Sequence, residues 1–479
     1  MKNFELGLTY DDALLVPQRS KVAHRGDVST KTKLTRHIEM SIPFVSANMD
    51  TVTEAPMAIA LAQQGGIGII HRFMTIEEQV NQVKKVKRHE GFIRHRPFTI
   101  SVDADLAEAW RLADLYGVSS FIVMDSADKV TGIVTQRDLL FETNKKKPIR
   151  LLMTPLKKMI YAAGDVSTDV ARKILKKNKI EKLPLLDKKR KLVGLITAKS
   201  LIGFGSHPSS TKDNHGRLKV GAAVGVVGDF IQRAERLIDA GVDVIVIDVA
   251  HGQNEVALEG VAKIRRKFKD TDIIGGNVAT GDGVLDMIKC GVDAVKVGIG
   301  PGGLCTTRIV AGVGIPQLSA VLESAKVALK YNIPIIADGG TNFPGDIVKA
   351  LSAGASSCML AGWLAGADES PGGIIMRKGM KYKVHRGAAS FLAVADRKLE
   401  NEEIDESKLN TVVPEGVEAL VPYKGKVSDI IYQLLGALRS GMSYCNALTI
   451  SQLHKNARFV RITEAGFRES KSHNVEEIT

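Results

Sequence analysis

The sequence predicts an α/β protein built on a (β/α)8 TIM barrel, with a second, smaller domain inserted into it. Eight short apolar runs alternate with helical patterns, and small or polar residues follow each run. Such runs are typical of parallel strands buried on both faces. A length of 479 residues fits one large and one small domain. The runs are residues 44–46, 67–70, 220–224, 244–247, 273–276, 294–297, 334–337 and 357–360.

Eight strand–helix units that close on themselves place their chemistry on the loops after the strands. A doubly wound sheet is the alternative architecture. It is disfavoured because no GxGxxG pattern opens a helix with an acidic residue about 20 positions further on.

Composition limits the class of protein. Apolar residues make up 44% and charged residues 25%, as in ordinary globular proteins. No apolar run reaches the roughly 18 residues of a membrane span, and the N-terminus lacks the apolar core of a signal peptide. The cysteines, Cys290, Cys305, Cys358 and Cys445, have neither CxxC pairing nor zinc spacing. We therefore expect a cytoplasmic protein with reduced thiols and no membrane partner.

The segment between the second and third predicted strands contains an internal repeat. Residues 129–139 recur as residues 191–201, and two such units would bury a shared face by pairing. Residues 92–201 contain 22 Lys and Arg against 12 Asp and Glu, which is +10 of the formal +13. This excess indicates an anionic partner, although solvated lysine-rich faces give the same pattern. Nucleic acid is disfavoured, because the basic runs lack interleaved aromatic residues.

The repeat resembles a tandem pair of cystathionine-β-synthase (CBS) modules, a Bateman domain. The resemblance implies a regulatory site for an adenine or guanine nucleotide, held by a Thr and an Asp three residues later. Thr135 and Asp138 fit this pattern, whereas the second copy has Thr197 followed by Ser200. A pair that only stiffens an oligomer is the alternative. The predicted domains are residues 1–91 (barrel, first part), 92–203 (CBS pair) and 204–479 (barrel, second part).

The most informative segment is a glycine-rich loop after the sixth predicted strand, VGIGPGGLCTTR at residues 297–308. Glycines let the backbone pass close to a ligand, and its exposed N–H and C=O groups can hold a phosphate or a monovalent cation. Cys305 ends this loop at the barrel mouth, where a thiolate could attack an electron-poor carbon. A cysteine that only fills the core is the alternative.

Other predicted strands also end in candidate ligand contacts. The run Asp338-Gly339-Gly340 suits a ribose diol beside a phosphate. Loops after the seventh and eighth strands often form a barrel's phosphate site, which would include Ala361 and Gly362. Asp248 and Asn277, which close the fourth and fifth strands, are candidate cofactor or base contacts. Carboxylates that only stabilise a loop are the alternative.

Few apolar residues occur between positions 396 and 410, and residues 385–425 are therefore predicted to form a mobile flap. Glu415, in the run Pro414-Glu415-Gly416, is the candidate proton carrier of this segment. A surface glutamate is the ordinary alternative.

Five motifs together resemble the IMP dehydrogenase/GMP reductase family. They are LTYDD (8–12), NMDTV (48–52), the Cys305 loop, DGG (338–340) and GDI (345–347), and the resemblance covers essentially the whole chain. It implies that Cys305 attacks C2 of a purine nucleotide beside Thr307, that Asp338 holds the ribose, and that a nicotinamide cofactor stacks on the base. It also implies a homotetramer or octamer.

The same resemblance implies the remaining contacts. The backbone of Gly300, Gly302 and Cys305 would hold a potassium ion. The other substrate contacts would be Met49, Gly303, Gly339, Gly340, Ala361, Gly362 and His385, and the cofactor contacts Asp248, Asn277 and Gly298.

The resemblance leaves two reactions open. In the dehydrogenases an Arg-Tyr dipeptide of the flap activates water, and this chain has only Arg397-Lys398 there. In the reductases a threonine–glutamate pair handles protons, which Thr307 and Glu415 match. We therefore expect a GMP reductase that converts GMP and NADPH to IMP, ammonia and NADP. An IMP dehydrogenase that uses NAD is the alternative.

Four further residues depart from the family pattern, namely Gly303, His385, Ala388 and Ala389. Gly303 stands where the family usually has a phosphate-binding Ser, and His385 stands where the dehydrogenases have Tyr. A catalytically weakened nucleotide sensor, with the CBS pair as its working part, is therefore a further alternative. The presence of Cys305, Thr307 and Glu415 together argues against it.

Overall fold

The computed structural model describes residues 4–89, 93–94, 97–164, 166–198, 200–201, 207–393 and 413–472. These residues divide into two compact units. The first contains the described residues of 1–87, 209–213 and 218–479, and the second contains those of 88–208 and 214–217. Within these residues, no helix combines the length and the apolar character that crossing a membrane requires.

The first unit contains a closed barrel of eight parallel strands. In chain order they are β1 (Phe44–Ser46), β2 (Ile67–Ile70), β3 (Gly221–Val224), β4 (Val244–Ile247), β5 (Asp272–Val278), β6 (Ala294–Val297), β7 (Ile335–Asp338) and β8 (Ser357–Leu360). Each strand pairs with the next, and β8 pairs with β1. The predicted barrel is confirmed, and the doubly wound sheet is excluded. Because β5 extends past the predicted end, Asn277 lies within the strand.

Strand composition explains this architecture. The side chains of Ile69, Val246, Ile274 and Val295 are fully buried, because both faces of the barrel wall are covered. β-branched residues pack well on such a pleated surface. The helices after the strands are Ala55–Gln63, Ile76–His89, Phe230–Asp239, Glu255–Lys267, Gly281–Lys289, Thr307–Val310, Gln317–Lys330, Pro344–Ser352 and Val427–Tyr444.

Small elements complete the first unit. Strand Ala13–Leu15 pairs with Phe459–Arg461, and Thr32–Lys33 pairs with Glu39–Met40. The remaining short helices are Tyr10–Asp12, Arg25–Asp27, Ile450–Asn456 and Glu464–Glu469.

A three-stranded antiparallel sheet, which we call the flap sheet, follows the barrel. Its strands are Ile374–Arg377, Met380–Arg386 and Glu418–Pro422. The predicted flap, residues 385–425, therefore begins in this sheet and includes its third strand. Residues 394–412, which include Arg397 and Lys398, lie outside the described residues.

The second unit contains two four-stranded sheets, one for each copy of the repeat. The first has strands Thr99–Ser101, Ser120–Met124, Val130–Thr135 and Thr154–Pro155, and the second has Ile93–Arg94, Ala162–Ala163, Lys182–Leu186 and Leu192–Thr197. The helices are Leu106–Tyr116, Gln136–Leu139, Ile149–Leu151 and Thr168–Asn178. One apolar cluster joins the copies, with Ile122, Val130 and Ile133 from the first and Leu186 and Leu195 from the second.

Candidate active site

Three predicted catalytic side chains form one hydrogen-bonded series. The Cys305 thiol donates to Thr307 Oγ1 at 3.2 Å, and the Thr307 hydroxyl donates to Glu415 Oε2 at 2.8 Å. Thr307 and Glu415 are 108 positions apart in the sequence, so only the fold brings them together. The series leads from the thiol through a hydroxyl to a carboxylate, so the carboxylate can take up the thiol proton by way of the hydroxyl.

Backbone pairing holds Glu415 in this place. The Thr306 N–H donates to the Glu415 carbonyl at 2.9 Å, and the Val417 N–H donates to the Leu304 carbonyl at 3.0 Å. Gly416 forms a bridge with Cys305. A Cβ at Gly416 would lie 3.3 Å from the Leu304 carbonyl oxygen, and glycine permits the closer approach without displacing it. Residues 415–417 of the predicted flap are thus paired with the cysteine loop.

The surroundings of the four cysteines differ. Burial raises the pKa of the Cys358 thiol to about 12, and burial also raises the pKa of Cys290 and of Cys445. A buried thiol with a raised pKa is a poor nucleophile. Cys305 is half-buried on the catalytic-face loop and has a hydroxyl partner. This arrangement favours the nucleophile over the core-filler alternative.

A second polar cluster crosses the strands beside the cysteine loop. Asp338 Oδ2 accepts from Lys296 Nζ at 2.8 Å and from Asn277 Nδ2 at 2.9 Å. Asn277 Nδ2 also donates to the Gly298 carbonyl at 2.8 Å. Both donors use the same oxygen, so among the described residues Oδ1 of Asp338 has no hydrogen-bond partner. The carboxylate is held firmly and keeps one oxygen for a ligand.

Sequence reasoning missed Lys296. Its side chain is buried, and its ammonium also donates to Asn277 Oδ1. The available signal was a charged residue in a strand predicted to be buried on both faces, since a buried charge almost always has a partner.

Glycine-rich loops after β6, β7 and β8 lie against one another. Gly339 has φ +93°, and a Cβ there would lie 3.1 Å from the Gly302 nitrogen. Trp363 Nε1 donates to the Thr341 carbonyl at 3.0 Å, which joins the loop after β8 to the loop after β7. An added Cβ at Gly303 or at Gly362 would meet nothing within 4 Å. These two positions therefore leave open space beside the loops.

His385 lies at the end of a flap-sheet strand and faces the loop after β1. Its Nδ1 is 2.9 Å from Thr51 Oγ1, and burial lowers its pKa to about 4, although Asp50 opposes the shift. Arg386 Nε donates to Asp50 Oδ2 at 2.7 Å. His385 is thus neutral near pH 7. Met49 is half-buried and packs against the barrel core.

Asp248 belongs to a separate group. It accepts from Asn48 Nδ2 and from Arg72 Nε, both at 2.8 Å. The loop after β4 nevertheless contacts β5, because the Gly252 N–H donates to the Asn277 carbonyl at 2.7 Å. The predicted cofactor contacts Asp248, Asn277 and Gly298 therefore come from adjoining segments. Sequence reasoning missed Arg72, which binds the Asp248 carboxylate.

The predicted regulatory residues lie in the second unit. Asp138 Oδ2 accepts from the Thr135 N–H and from the Thr135 hydroxyl, each at 2.7 Å. A cavity of about 270 Å³ adjoins Thr135 and is also lined by Trp110, Gly117 and Phe121. In the second copy, Thr197 and Ser200 cap each other in a similar way.

Comparison with known proteins gives one family. Residues 7–473 match the family described as the IMP dehydrogenase/GMP reductase domain. Inosine-5'-monophosphate dehydrogenase from Nitrosopumilus maritimus is 50% identical over 98% of this chain and 99% of its own length. The enzyme of that name from Aquifex aeolicus is also 50% identical, over 99% and 97%. A variant GMP reductase from Trypanosoma brucei, solved with guanosine 5'-monophosphate, is 40% identical over 99% of both chains, with a TM-score of 0.89.

The expectation of a GMP reductase is wrong on this comparison. Curated relatives that are 44–50% identical over nearly the whole chain are IMP dehydrogenases. The expectation rested chiefly on the Thr307–Glu415 pair and on the presence of Arg397-Lys398 where the dehydrogenases have an Arg-Tyr dipeptide. The pair does not separate the two reactions, because each needs a proton-transfer group beside the cysteine. Arg397 and Lys398 lie outside the described residues.

Proposed function

The chain belongs to the IMP dehydrogenase/GMP reductase family, and we propose that it is an IMP dehydrogenase. As the family requires, it is an NAD(P)-dependent oxidoreductase of purine nucleotides. The proposed reaction converts IMP, NAD and water to XMP and NADH. The observation that carries the proposal is the identity of about half of all residues to IMP dehydrogenases along the whole chain. The Cys305–Thr307–Glu415 series supplies the proton acceptor that this chemistry needs.

The first half-reaction makes a covalent bond to Cys305. Its thiol proton passes through Thr307 to Glu415, and the sulfur adds to C2 of the hypoxanthine. The C2–H bond breaks as hydride departs, so C2 is oxidised by two electrons. The nicotinamide, when bound, supplies the hydride acceptor. C2 is then joined to Cys305 as a thioimidate, and Glu415 returns its proton to solvent.

The second half-reaction is hydrolysis. A water oxygen bonds to C2 while one water proton passes through Thr307 to Glu415. The C2–sulfur bond breaks, its electron pair returns to Cys305, and XMP is released. The hydroxyl-to-carboxylate contact of 2.8 Å makes this route independent of an Arg-Tyr dipeptide.

The remaining groups of the barrel mouth would hold the nucleotide. Asp338 offers Oδ1 to the ribose diol, because Lys296 and Asn277 occupy Oδ2. The 5'-phosphate would lie against the loops with Gly303, Gly339, Gly340, Ala361 and Gly362, where backbone N–H groups replace side-chain hydroxyls. His385, being neutral, would act there as a hydrogen-bond donor without charge.

The residues present fit a nicotinamide cofactor and a monovalent cation. Asp248, Asn277 and Gly298 would hold NAD, since polar groups on adjoining segments suit a ribose and a carboxamide. Gly298 and Gly300 have φ +149° and +84°, which lets their backbone approach a ligand. The carbonyl oxygens of Gly300, Gly302 and Cys305 would hold potassium, whose charge would order the cysteine loop.

The decisive assay mixes the protein in potassium buffer with IMP plus NAD, and separately with GMP plus NADPH. We expect NADH formation in the first mixture, no change in the second, and no activity in the Cys305→Ala variant. Consumption of NADPH with ammonia release would reject the proposal. Activity of the Cys305→Ala variant would reject the covalent route.

A regulatory purine nucleotide is proposed for the second unit. Asp138 uses Oδ2 for Thr135 and keeps Oδ1, which could accept from a ribose hydroxyl. The adjoining cavity and the +10 charge of the segment suit a purine base and phosphates.

Calorimetric titration with ATP and with GTP tests this site. We expect Asp138→Asn to weaken binding about tenfold, as loss of a charge-assisted hydrogen bond would. The matched Ser200→Ala variant should bind as the unsubstituted protein does. Equal losses in both variants, or binding of neither nucleotide, would contradict the proposal.

A further inference from the structure

Lys383, in the middle strand of the flap sheet, carries a buried ammonium group among backbone oxygens. Only 3% of the residue is exposed. Its Nζ donates to the carbonyls of Ser370 at 2.6 Å, Ala367 at 2.8 Å and Asp368 at 3.5 Å. An ammonium has three N–H donors and no acceptor, so three carbonyls match its capacity.

This environment differs from that of the other buried lysines. Lys87 and Lys296 each form a salt bridge with an aspartate at 2.7–3.0 Å. No salt bridge of Lys383 occurs within the described part of the chain. The Asp368 and Glu369 carboxylates act on it at longer range and raise its pKa, while burial has the larger, opposite effect. Proteins hold dehydrated monovalent cations in the same way, with several backbone carbonyl oxygens and no carboxylate in direct contact.

The carbonyls belong to the loop after β8, which other contacts also fix. The Ser370 hydroxyl donates to the Ala365 carbonyl at 2.7 Å. Glu369 Oε2 accepts the Val427 N–H at 2.9 Å, at the start of the last barrel helix. The Lys424 N–H donates to the Gly366 carbonyl at 2.9 Å. This loop therefore joins the end of β8, the last barrel helix and the flap sheet.

Lys383 and His385 stand on the same face of their strand, because side chains two positions apart point the same way. The Lys383 ammonium donates to carbonyls of the loop after β8, and His385 contacts Thr51 in the loop after β1. The flap-sheet strand is thus attached to the barrel at two points. The next strand of this sheet, Glu418–Pro422, begins three residues after Glu415.

We propose that Lys383 is a tethered monovalent cation, whose ammonium occupies a carbonyl site in the loop after β8. It acts as a positioning residue: it holds the flap sheet, and with it His385 and Glu415, against the barrel mouth. The carbonyl site is separate from the backbone site proposed for potassium at Gly300. Without the lysine side chain, the same oxygens would take a small free cation.

Chemical rescue tests the proposal in the full-length protein. The Lys383→Ala variant removes the ammonium and its stem but leaves the carbonyls. Methylammonium or ammonium is titrated in potassium-free buffer, with the ionic strength held constant by tetramethylammonium, which is too large for the site, and both the thermal midpoint and the IMP dissociation constant are measured. We expect IMP binding to weaken about tenfold, as loss of a charge-assisted hydrogen bond would, and methylammonium to restore it saturably.

Three controls give this test its specificity. The unsubstituted protein and Lys424→Ala, whose exposed lysine also lies near carbonyls, should not respond to methylammonium. Lys383→Met, which fills the space without a charge, should bind IMP weakly and should not be rescued. If Lys383→Met binds IMP normally, the charge is dispensable and the proposal fails.

The thermal midpoint separates this proposal from the proposed function, because it involves no nucleotide. A saturable rise of the Lys383→Ala midpoint with methylammonium supports the cation site even if IMP proves not to be the substrate. If Lys383→Ala folds poorly, the rise should still be measurable, and Lys383→Ser provides a second small variant that leaves the space open. No rise in either variant would overturn the proposal.

Discussion

The two ends of the barrel both carry partly or fully buried carboxylates, but they use them differently. At the carboxyl ends of the strands, and counting only partners among the described residues, Asp338 has both of its hydrogen bonds on one oxygen, and Glu415 accepts through one oxygen only. At the amino ends, Asp272 and Asp293 have every carboxylate oxygen bonded. Arg36 and Arg265 take the two oxygens of Asp293, which the Ile273 N–H also contacts.

The difference shows which end can bind a ligand. His37, Asp272 and Asp293 lie close enough to be mistaken for a metal site. His37 Nδ1, however, is 2.7 Å from Asp272 Oδ1, and Thr35 donates to the other oxygen. A cation there would have to displace these donors and two arginines. The amino end therefore stabilises the barrel, and Asp338 and Glu415 at the carboxyl end keep oxygens for chemistry, as expected of this fold.

The largest expected effect is at the carboxyl end. Replacement Cys305→Ala removes the nucleophile and should lower the rate of NADH formation by about a thousandfold or more. The thermal midpoint should stay within about 1 °C of the unsubstituted protein, since Cys305 is half-buried and its thiol makes one hydrogen bond. A midpoint several degrees lower would show that this end also carries the stability of the barrel.

The amino end should give the reverse result. Replacement Asp293→Ala leaves Arg36 and Arg265 without their carboxylate and should lower the free energy of unfolding by about 3 kcal/mol. Activity per folded molecule should be unchanged. Denaturant unfolding and an assay at low temperature measure both, with Arg36→Ala as the milder control, because Arg36 is partly exposed. If the fully folded Asp293→Ala variant is inactive, the amino end also contributes to catalysis, and the two ends are not divided in this way.

Replacement Glu415→Gln should separate the two half-reactions, because a thiol is far more acidic than water and can lose its proton to solvent, whereas the attacking water needs the carboxylate. Loss of the proton acceptor should slow hydrolysis about a hundredfold, because general base catalysis contributes about that much. Stopped-flow absorbance should then show a burst of up to one NADH per active site followed by slow turnover. A burst-free trace with normal steady-state turnover would remove Glu415 from the mechanism.

A smaller effect concerns pH. Because burial lowers the pKa of His385 from 6.5 to about 4, the unfolded chain binds a proton first as the pH falls. The folded state should therefore lose stability between pH 6.5 and pH 4, by about 3 kcal/mol, and should be unaffected above that range. In denaturant titrations over this range, the free energy of unfolding of the His385→Gln variant should fall less steeply with decreasing pH. If the free energy of unfolding has the same pH dependence in both proteins, His385 does not have the lowered pKa.

Much of the site could be predicted from the sequence, because its signals are local. The glycine loop before Cys305 and the run Asp338-Gly339-Gly340 follow predicted strands and need only the barrel to place them. Lys296 and Lys383 were missed, because their partners come from other strands and from backbone oxygens. The choice between two reactions also failed, since a pair such as Thr307 and Glu415 serves either one.

The sequence by itself determined the barrel, the inserted repeat and the residue types at each strand end, because apolar periodicity and glycine placement act over a few neighbouring residues. Only the tertiary structure decided which carboxylate oxygens remain free and which cation each buried carboxylate or carbonyl group receives. Those pairings join positions as distant as Thr307 and Glu415. They depend on how strands and loops meet in space, and no local pattern records that geometry.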